Sequence, residues 1–344
     1  MKIPILNSDY AQINDLLYKS YLPKIINTAI EIGLFETLSD KTMSLGTLSK
    51  ELKTNENITE ALLGVLTVID LTRKQDGLYR LSLLARDYLL ESSGANQLGA
   101  IKKISGSAGP FDELITALKG EAPVFDSKMW ASKEAILEME QGAKAGPIQA
   151  VTSFARELPE FMTCTKMCDF AGNSGYYSFA LMQENKGLYS HVYDLPAVCD
   201  LAKELKKEEE DFARITYHGF DIARGDAFGD DYDIFFSSHF LYEFGVDHKL
   251  SAFLEKVNKS MKMGGVFISN HLSCNNDDYD HATLAMIELM TLAMGYPTHQ
   301  LPGEILKKGL TEAGFGQFTE KQLNKTVSFP SLLLSARKIK EISR

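Results

Sequence analysis

The sequence predicts an α/β protein in which a helical N-terminal part precedes a doubly wound, Rossmann-like sheet. The first observation is an apolar segment at Thr165–Phe170, followed by a turn of small residues and an apolar helix that ends near Gly187. The second is a predicted strand, Ser190–Asp194, that ends in an acid and precedes Pro196, a residue suited to the first turn of a helix. The third is helical spacing of apolar residues through much of residues 10–100. Strands that alternate with helices are typical of a parallel sheet.

The turn after the first of these strands has the composition of a nucleotide-type site. It contains Ala171, Gly172 and Gly175, which let a ligand approach the backbone, and it leads into a helix whose N-terminus offers N–H groups. Asp194, at the end of the next strand, can accept hydrogen bonds from both hydroxyls of a ribose. Two glycines alone are weak evidence for a nucleotide-type site, and an acid at this distance along the chain strengthens that evidence. The alternative is a Rossmann-like turn that holds no cofactor.

Within residues 10–100, short helices followed by a hairpin predict a winged helix. Two of the helices have suitable N-cap residues, Ser44 for one and Thr54 or Asn55 for the next. Residues 73–81 have the pattern of a hairpin around an Asp-Gly turn.

A winged helix is best known from DNA-binding proteins, but the charges here argue against that function. The helix that would read a groove, Asn55–Leu71, carries three acidic residues and no Lys or Arg. Residues 1–100 hold 10 basic and 12 acidic side chains, a net charge of −2. A helix that recognises DNA in a groove needs Arg or Lys, so we expect no nucleic-acid partner.

Two further features are candidates for a substrate chamber. Residues 100–161 show apolar helical patterns and include Trp130, and Met286, Met290 and Met294 recur every four residues on a later helix. Core packing is the more frequent meaning of such residues, although adaptable Met side chains also suit a flat aromatic ligand. The tail of the chain predicts two final strands.

Composition and charge exclude several other functions. The 344 residues are 44% hydrophobic and 24% charged, which suits a globular protein of about two domains, and the formal net charge is −10. No apolar run reaches the length of a signal peptide or a membrane span. Cys164, Cys168, Cys199 and Cys274 lack the paired spacing of a zinc site. We therefore expect a cytoplasmic protein with no bound metal and no membrane contact.

The turn and the second strand carry a resemblance to a known family. Residues 169–175 read Asp-Phe-Ala-Gly-Asn-Ser-Gly, and residues 193–196 read Tyr-Asp-Leu-Pro. They resemble motif I and the Phe-Asp-Leu-Pro signature of the plant-type O-methyltransferases that depend on S-adenosylmethionine (SAM). That family includes caffeate, acetylserotonin and bacterial polyketide O-methyltransferases. The resemblance runs from Met167 to Phe315, but Ala and Asn replace two of the family's glycines in the turn.

The resemblance implies a division into three regions. Residues 1–105 would form a winged-helix dimerisation domain, residues 106–160 a helical connection that lines the substrate chamber, and residues 161–344 a SAM-binding catalytic domain with a seven-stranded sheet. The Leu- and Ile-rich N-terminal helices also have more apolar surface than so small a unit can bury alone, so we expect a homodimer.

The resemblance also implies the cofactor and the residues around it. SAM would be the methyl donor and S-adenosylhomocysteine the product. The residues expected to contact it are Asp169, Ala171, Gly172, Gly175, Asp194, Leu195, Asp221, Ile222, Ser237 and Ser238.

The catalytic base is the main departure from the family. Tyr242 stands where the family has the histidine that removes the substrate proton, and His239 lies three residues earlier. His271 stands where the family has a flanking glutamate, and the family's late glutamate corresponds to Glu304. Three explanations are open: His271 acts with Tyr242 and is supported by Glu304, His239 acts as the base, or an acidic phenol ionises without a base. We favour the first.

Methyl transfer to a hydroxyl of a small, aromatic or polyketide-like molecule is the leading function. Two alternatives stay open on the same scaffold. One is a SAM-bound enzyme that carries out decarboxylation or hydroxylation instead, and the other is a binding protein without activity.

Overall fold

The computed structural model describes residues 7–106, 111–121, 130–221, 228–245, 249–273, 281–296, 298, 301–323 and 330–342. The chain divides into two compact units, Met1–Gly109 and Pro110–Arg344. The second unit contains the segment 106–160 almost entirely, and the separate role expected for that segment stays a prediction.

The first unit is built from short helices and a small sheet. Its helices are α1 (Ala11–Lys19), α2 (Leu22–Glu31), α3 (Leu34–Thr37), α4 (Leu45–Leu52), α5 (Glu56–Val68), α6 (Leu83–Tyr88) and α7 (Leu98–Ser105). Its strands are β1 (Met43–Ser44), β2 (Thr72–Gln75) and β3 (Leu78–Leu81), in the order β1-β3-β2.

The local sequence signals of this unit correspond to the observed structure. The Ser44 Oγ accepts a hydrogen bond from the Thr47 N–H at 3.3 Å, and the Asn55 Oδ1 accepts one from the Ile58 N–H at 3.1 Å. Both predicted helix starts are therefore confirmed. Asp76 and Gly77 join β2 to β3 with φ of 50° and 76°. A two-residue turn with both residues left-handed is the type that a twisted hairpin favours.

Helix α1 leaves an apolar surface uncovered within the first unit. Six large apolar side chains on and beside this helix are more than half exposed: Tyr10, Ile13, Leu16, Leu17, Tyr18 and Tyr21. We call this set the α1 apolar surface. Its area exceeds what scattered surface residues explain, because the six are contiguous along one short segment.

The second unit alternates helices and strands. Its helices are α8 (Leu114–Thr116), α9 (Lys133–Lys144), α10 (Pro147–Glu157), α11 (Tyr176–Glu184), α12 (Pro196–Lys206), α13 (Tyr242–Gly245), α14 (Leu250–Ser260), α15 (His281–Ala293) and α16 (Gly303–Glu312). Its strands are β4 (Lys166–Phe170), β5 (Tyr189–Asp194), β6 (Ile215–Gly219), β7 (Tyr232–Ser238), β8 (Met261–Leu272), β9 (Phe315–Leu323) and β10 (Ser331–Lys338).

The seven strands form one sheet in the order β6-β5-β4-β7-β8-β10-β9. Strand β10 runs antiparallel to both of its neighbours, and β4 to β8 pair in parallel. The prediction of a Rossmann-like seven-stranded sheet is confirmed. Strand order reverses at β4, so a crevice opens beyond the carboxyl ends of β4 and β7, where doubly wound sheets bind their ligands.

The sheet is buried on both faces, which explains why its strands are mainly apolar. One core contains Phe170, Phe235 and Phe267. The other, on the opposite face, contains Val192 and Phe236. Polar side chains near the carboxyl ends of these strands therefore lie at the border between two apolar cores and the crevice.

Candidate functional site

The loop between β4 and α11 has an unusual backbone. Ala171, Asn173 and Gly175 all have left-handed φ, of 55°, 51° and 75°. A Cβ on Gly175 would lie 2.6 Å from the Ile215 Cδ1, and one on Gly172 would lie 2.6 Å from the Asp169 Cγ. Both glycines are thus required by close packing, whereas Ala and Asn occupy their positions at a cost in backbone strain.

Asp194 ends β5 directly beside this loop. Its Oδ2 accepts a hydrogen bond from the Asn173 N–H and its Oδ1 accepts one from the Leu195 N–H, each at 2.7 Å. Burial raises the pKa of Asp194 to about 6, although these two hydrogen bonds act in the opposite direction. Each carboxylate oxygen has two lone pairs, so Asp194 can accept further hydrogen bonds from a ligand.

Strand β6 brings the residues predicted to flank the adenine next to Asp194. Gly219 is the register partner of Asp194, and the Phe220 N–H donates to the Asp194 carbonyl oxygen at 2.8 Å. Asp221 follows immediately in the chain and belongs to the same edge of the sheet. The predicted residue Ile222 lies outside the described residues.

Several polar atoms near the carboxyl ends of β4, β7 and β8 are buried without a hydrogen-bond partner. Among the described residues, eight side-chain atoms are in this state, and four of them lie here: the Asp169 Oδ1 and the Asn270 Oδ1 on one face of the sheet, and the Ser237 Oγ and the His271 Nε2 on the other. Buried polar groups are normally paired, and unpaired ones indicate a place where a ligand or water is needed. The four atoms come from three neighbouring strands.

Asp169 is the one acid among these four residues. It is 1% exposed, and its Oδ2 accepts a hydrogen bond from the Ser178 Oγ at 2.5 Å. Burial raises the pKa of Asp169 to about 7, and the charge of Asp194 acts in the same direction. Ser237 pairs in register with Phe170, the residue after Asp169, so its side chain lies on the opposite face of the sheet.

His239 follows β7 and faces the end of β8. Its φ of 51° is left-handed, and its N–H donates to the Asn270 carbonyl oxygen at 2.7 Å. The His239 Nε2 lies 3.3 Å from the Asn270 Nδ2, which also donates to the Ser238 Oγ at 3.1 Å. An imidazole is therefore held at the edge of the crevice by two contacts to one asparagine.

His271 and Tyr242 are both more buried than His239. His271 is 2% exposed, its Nδ1 lies 3.1 Å from the Ser269 Oγ, and burial lowers its pKa to about 3. Tyr242 is also buried, and burial raises its pKa above the ordinary value near 10. Because burial makes His271 weakly basic and Tyr242 weakly acidic, these pKa directions argue against joint proton removal, and the expected roles of the two residues stay a prediction.

Glu304 differs from His271 in being exposed. Its side chain is 80% exposed, and its carboxylate pairs with the Lys307 Nζ at 2.5 Å on the surface of α16. The structure therefore gives no geometric support to the expected role of Glu304 beside the base.

Two comparisons decide the family. The sequence model of the O-methyltransferase domain matches residues 126–316, more than half of the chain, and the O-methyltransferase dimerisation domain matches residues 14–91. The chain belongs to the O-methyltransferase family. The predictions of the family and of the enzyme class, a SAM-dependent methyltransferase, are confirmed.

Individual O-methyltransferase relatives are distant. An uncharacterized protein of Methanocaldococcus jannaschii is 26% identical over 263 residues, which cover 74% of this chain and 68% of that protein. Acetylserotonin O-methyltransferase of Bos taurus is 22% identical over 329 residues, 89% of this chain and 92% of the relative. The structure of human N-acetylserotonin methyltransferase in complex with SAM aligns with a TM-score of 0.71 at 19% identity, over 98% of this chain and 100% of that one.

The residues expected to line the substrate chamber of this O-methyltransferase are brought together only in part. The Trp130 and Tyr296 rings lie with their centroids 6.0 Å apart, and Tyr296 contributes to the raised pKa of Tyr242. Trp130 and Tyr296 thus form an aromatic pair. Met286 is 55% exposed on α15, and Met290 and Met294 are half-buried.

Sequence reasoning missed three residues that contribute to the site. Asn270, which holds His239, precedes the residue that stands in place of the family glutamate and was assigned no role of its own. Ser178 and Tyr296 carry no sequence signal, because a serine or a tyrosine in a helical region has no distinctive spacing. Within the described residues, no group of three or more His, Cys, Asp or Glu is arranged to hold a metal, and no helix there is long and apolar enough to span a membrane.

Proposed function

We propose that this chain methylates a hydroxyl of a small, planar molecule, aromatic or polyketide-like, with SAM as the methyl donor. The observation that carries the proposal is the loop 171–175 with its left-handed backbone, the Asp194 carboxylate beside it, and the buried, unpaired Asp169 Oδ1 on the same face of the sheet. A polar ligand at the carboxyl ends of β4 and β5 would bond to these acceptors.

The residues present fit SAM. Asp194 would accept hydrogen bonds from the ribose hydroxyls, and Asp169 has a buried oxygen atom available toward the amino-acid end. Leu195 and Asp221 would flank the adenine. When bound, SAM supplies an electrophilic methyl group for transfer to the substrate oxygen.

We infer that His239 is the base. Its backbone lies one strand away from the loop, it is half-buried at the crevice, and Asn270 fixes its ring. Amide orientation is assigned from the hydrogen-bond network, and turning the Asn270 amide would place its otherwise unpaired Oδ1 against the His239 Nε2–H. In that tautomer the Nδ1 of His239 carries the basic lone pair. It would receive the proton as the substrate oxygen forms its bond to the methyl carbon.

The substrate would lie against Trp130, Tyr296 and Tyr242. Aromatic rings favour offset or tilted packing with flat ligands, and the tilt of 53° between Trp130 and Tyr296 leaves edges and faces for such contacts. Met290 and Met294 would adapt to its outline. The Tyr242 hydroxyl, which stays protonated, would donate a hydrogen bond to the substrate.

The reaction is tested by incubation with methyl-labelled SAM and a panel of phenols. We expect a product that carries the labelled methyl group and an equal amount of S-adenosylhomocysteine. Heat-inactivated protein is the control. Conversion of a substrate without transfer of the label would favour a decarboxylase or hydroxylase, and binding of SAM without any product would favour a binding protein.

We further propose that the protein is a homodimer that buries the α1 apolar surface. This surface lies on and around the segment matched by the dimerisation domain, and a second copy would cover it by self-complementary packing. We expect light scattering at micromolar concentration to give twice the mass of the chain. Leu16→Lys should shift the protein toward the monomer, whereas Val68→Lys, at an apolar position that is 86% exposed, should not. A monomeric wild type would contradict the proposal.

A further inference from the structure

Helix α9 carries an acid, Glu140, whose side chain contacts the loop 171–175, the predicted cofactor loop. Glu140 is 5% exposed, and its Oε1 accepts a hydrogen bond from the Ser174 Oγ at 2.5 Å. The same oxygen pairs with the Lys206 Nζ at 2.7 Å, and the Lys206 side chain is 8% exposed. One carboxylate oxygen therefore joins α9, the end of α12 and the loop.

Ser174 is also held through its backbone. The Tyr217 hydroxyl donates to the Ser174 carbonyl oxygen at 2.7 Å, and the Ser174 N–H donates to the Asn173 Oδ1 at 2.8 Å. The Asn173 N–H in turn donates to Asp194. A continuous series of hydrogen bonds runs from Glu140 to the carboxylate expected to hold the ribose.

The loop needs such restraint because its backbone is strained. Ala171 and Asn173 are left-handed without being glycine, and residues in such conformations persist only when their surroundings fix them. The buried pair of Glu140 and Lys206 is well suited to this, because a buried ion pair with a further hydrogen bond has few alternative arrangements.

We propose that Glu140 and Lys206 are positioning residues that hold the loop 171–175 in its cofactor-binding conformation through Ser174. The proposal rests on the function proposed above. It predicts an effect on SAM affinity and little effect on the chemical step, because neither side chain reaches the crevice.

The test is Ser174→Ala, which removes the hydroxyl and leaves the ion pair intact. We expect the Kd and the KM for SAM to rise roughly tenfold, while kcat at saturating SAM stays within about twofold. Ser260→Ala is the matched control, because the Ser260 hydroxyl is also buried and donates only to the Val257 carbonyl oxygen, at 2.8 Å. The control should leave both constants unchanged.

Two further variants separate positioning from a general loss of stability. Glu140→Gln keeps an acceptor for Ser174 but removes the charge paired with Lys206, so we expect it also to raise the Kd for SAM while kcat stays within about twofold. Ala171→Gly relieves strain in the loop, so the combination Ser174→Ala with Ala171→Gly should recover part of the lost affinity. If the Ser174 hydroxyl only stabilised the fold, Ala171→Gly would not restore SAM affinity.

Hydrogen exchange in the ligand-free protein tests the proposal without the cofactor. We expect amides of residues 173–175 to exchange about tenfold faster in Ser174→Ala than in wild type or Ser260→Ala. If wild type fails to bind SAM but this difference appears, the proposed function fails and the positioning stands. Unchanged exchange and unchanged Kd in Ser174→Ala would overturn the positioning.

Discussion

Replacing His239 by alanine is expected to lower kcat by roughly 10²- to 10⁴-fold, the range typical of general acid–base catalysis. The physical reason is that His239 is the only candidate from the sequence that is both partly exposed and fixed at the crevice by Asn270. The Kd for SAM, measured by calorimetry, should change less than threefold. Steady-state kinetics with the best phenol from the panel gives kcat.

His271→Ala and Tyr242→Phe are the comparison variants. Both should retain much more activity than His239→Ala, because His271 is too weakly basic and Tyr242 only donates a hydrogen bond. Asn270→Ala should give an intermediate loss of kcat, since it frees the His239 ring without removing it. A large loss in His271→Ala beside an active His239→Ala would reverse the assignment, and near-normal rates in all variants would mean that a phenol acidic enough to ionise needs alignment alone.

Asp194→Ala is expected to weaken SAM binding by roughly 100-fold, because two hydrogen bonds to one carboxylate are lost. Calorimetry on wild type and variant measures this directly. Asp200→Ala provides the matched control: Asp200 lies on the helix that follows Asp194, and its side chain is 78% exposed. Equal affinity of wild type and Asp194→Ala would contradict the proposed position of the ribose.

The same carboxylate predicts a pH dependence. Burial raises the pKa of Asp194 to about 6, so its ionised form, the better acceptor, is lost as the pH falls through 6. SAM affinity should therefore fall from pH 7 to pH 5, and Asp194→Asn should flatten this profile. Stability of the ligand-free protein should change in the opposite direction. A folded-state pKa above the unfolded value near 4 means that the free energy of unfolding decreases as the pH rises from about 4 through 6.

The parts of the molecule that are local in sequence could be predicted. Ser44 and Asn55 cap their helices because each side chain bonds to a backbone amide three residues away. The Asp76-Gly77 turn was predictable because few residue pairs adopt its backbone conformation. The cofactor loop and Asp194 were predictable for a similar reason, since a strand, a turn, a helix and a second strand fix their separation along the chain.

The catalytic residues could not be ranked from the sequence. Whether His239 or His271 reaches the crevice depends on the left-handed φ of His239, which follows β7, and on which face of β8 His271 occupies. Neither is visible in residue spacing. Glu140 was missed for another reason. It is 34 residues from Ser174, and a glutamate in an amphipathic helix is ordinarily interpreted as a surface residue.

Strand β8 has a consequence for how this protein can evolve. Asn270 and His271 are adjacent, so they lie on opposite faces of the sheet, and Ser238 pairs in register with Asn270. Deleting one codon earlier in β8 would shift its register by one and bring His271 to the position of Asn270. His239 would then meet an imidazole in place of an amide. Lineages of this chain should therefore tolerate volume-conserving apolar substitutions in β8, while length changes are confined to the connections outside it.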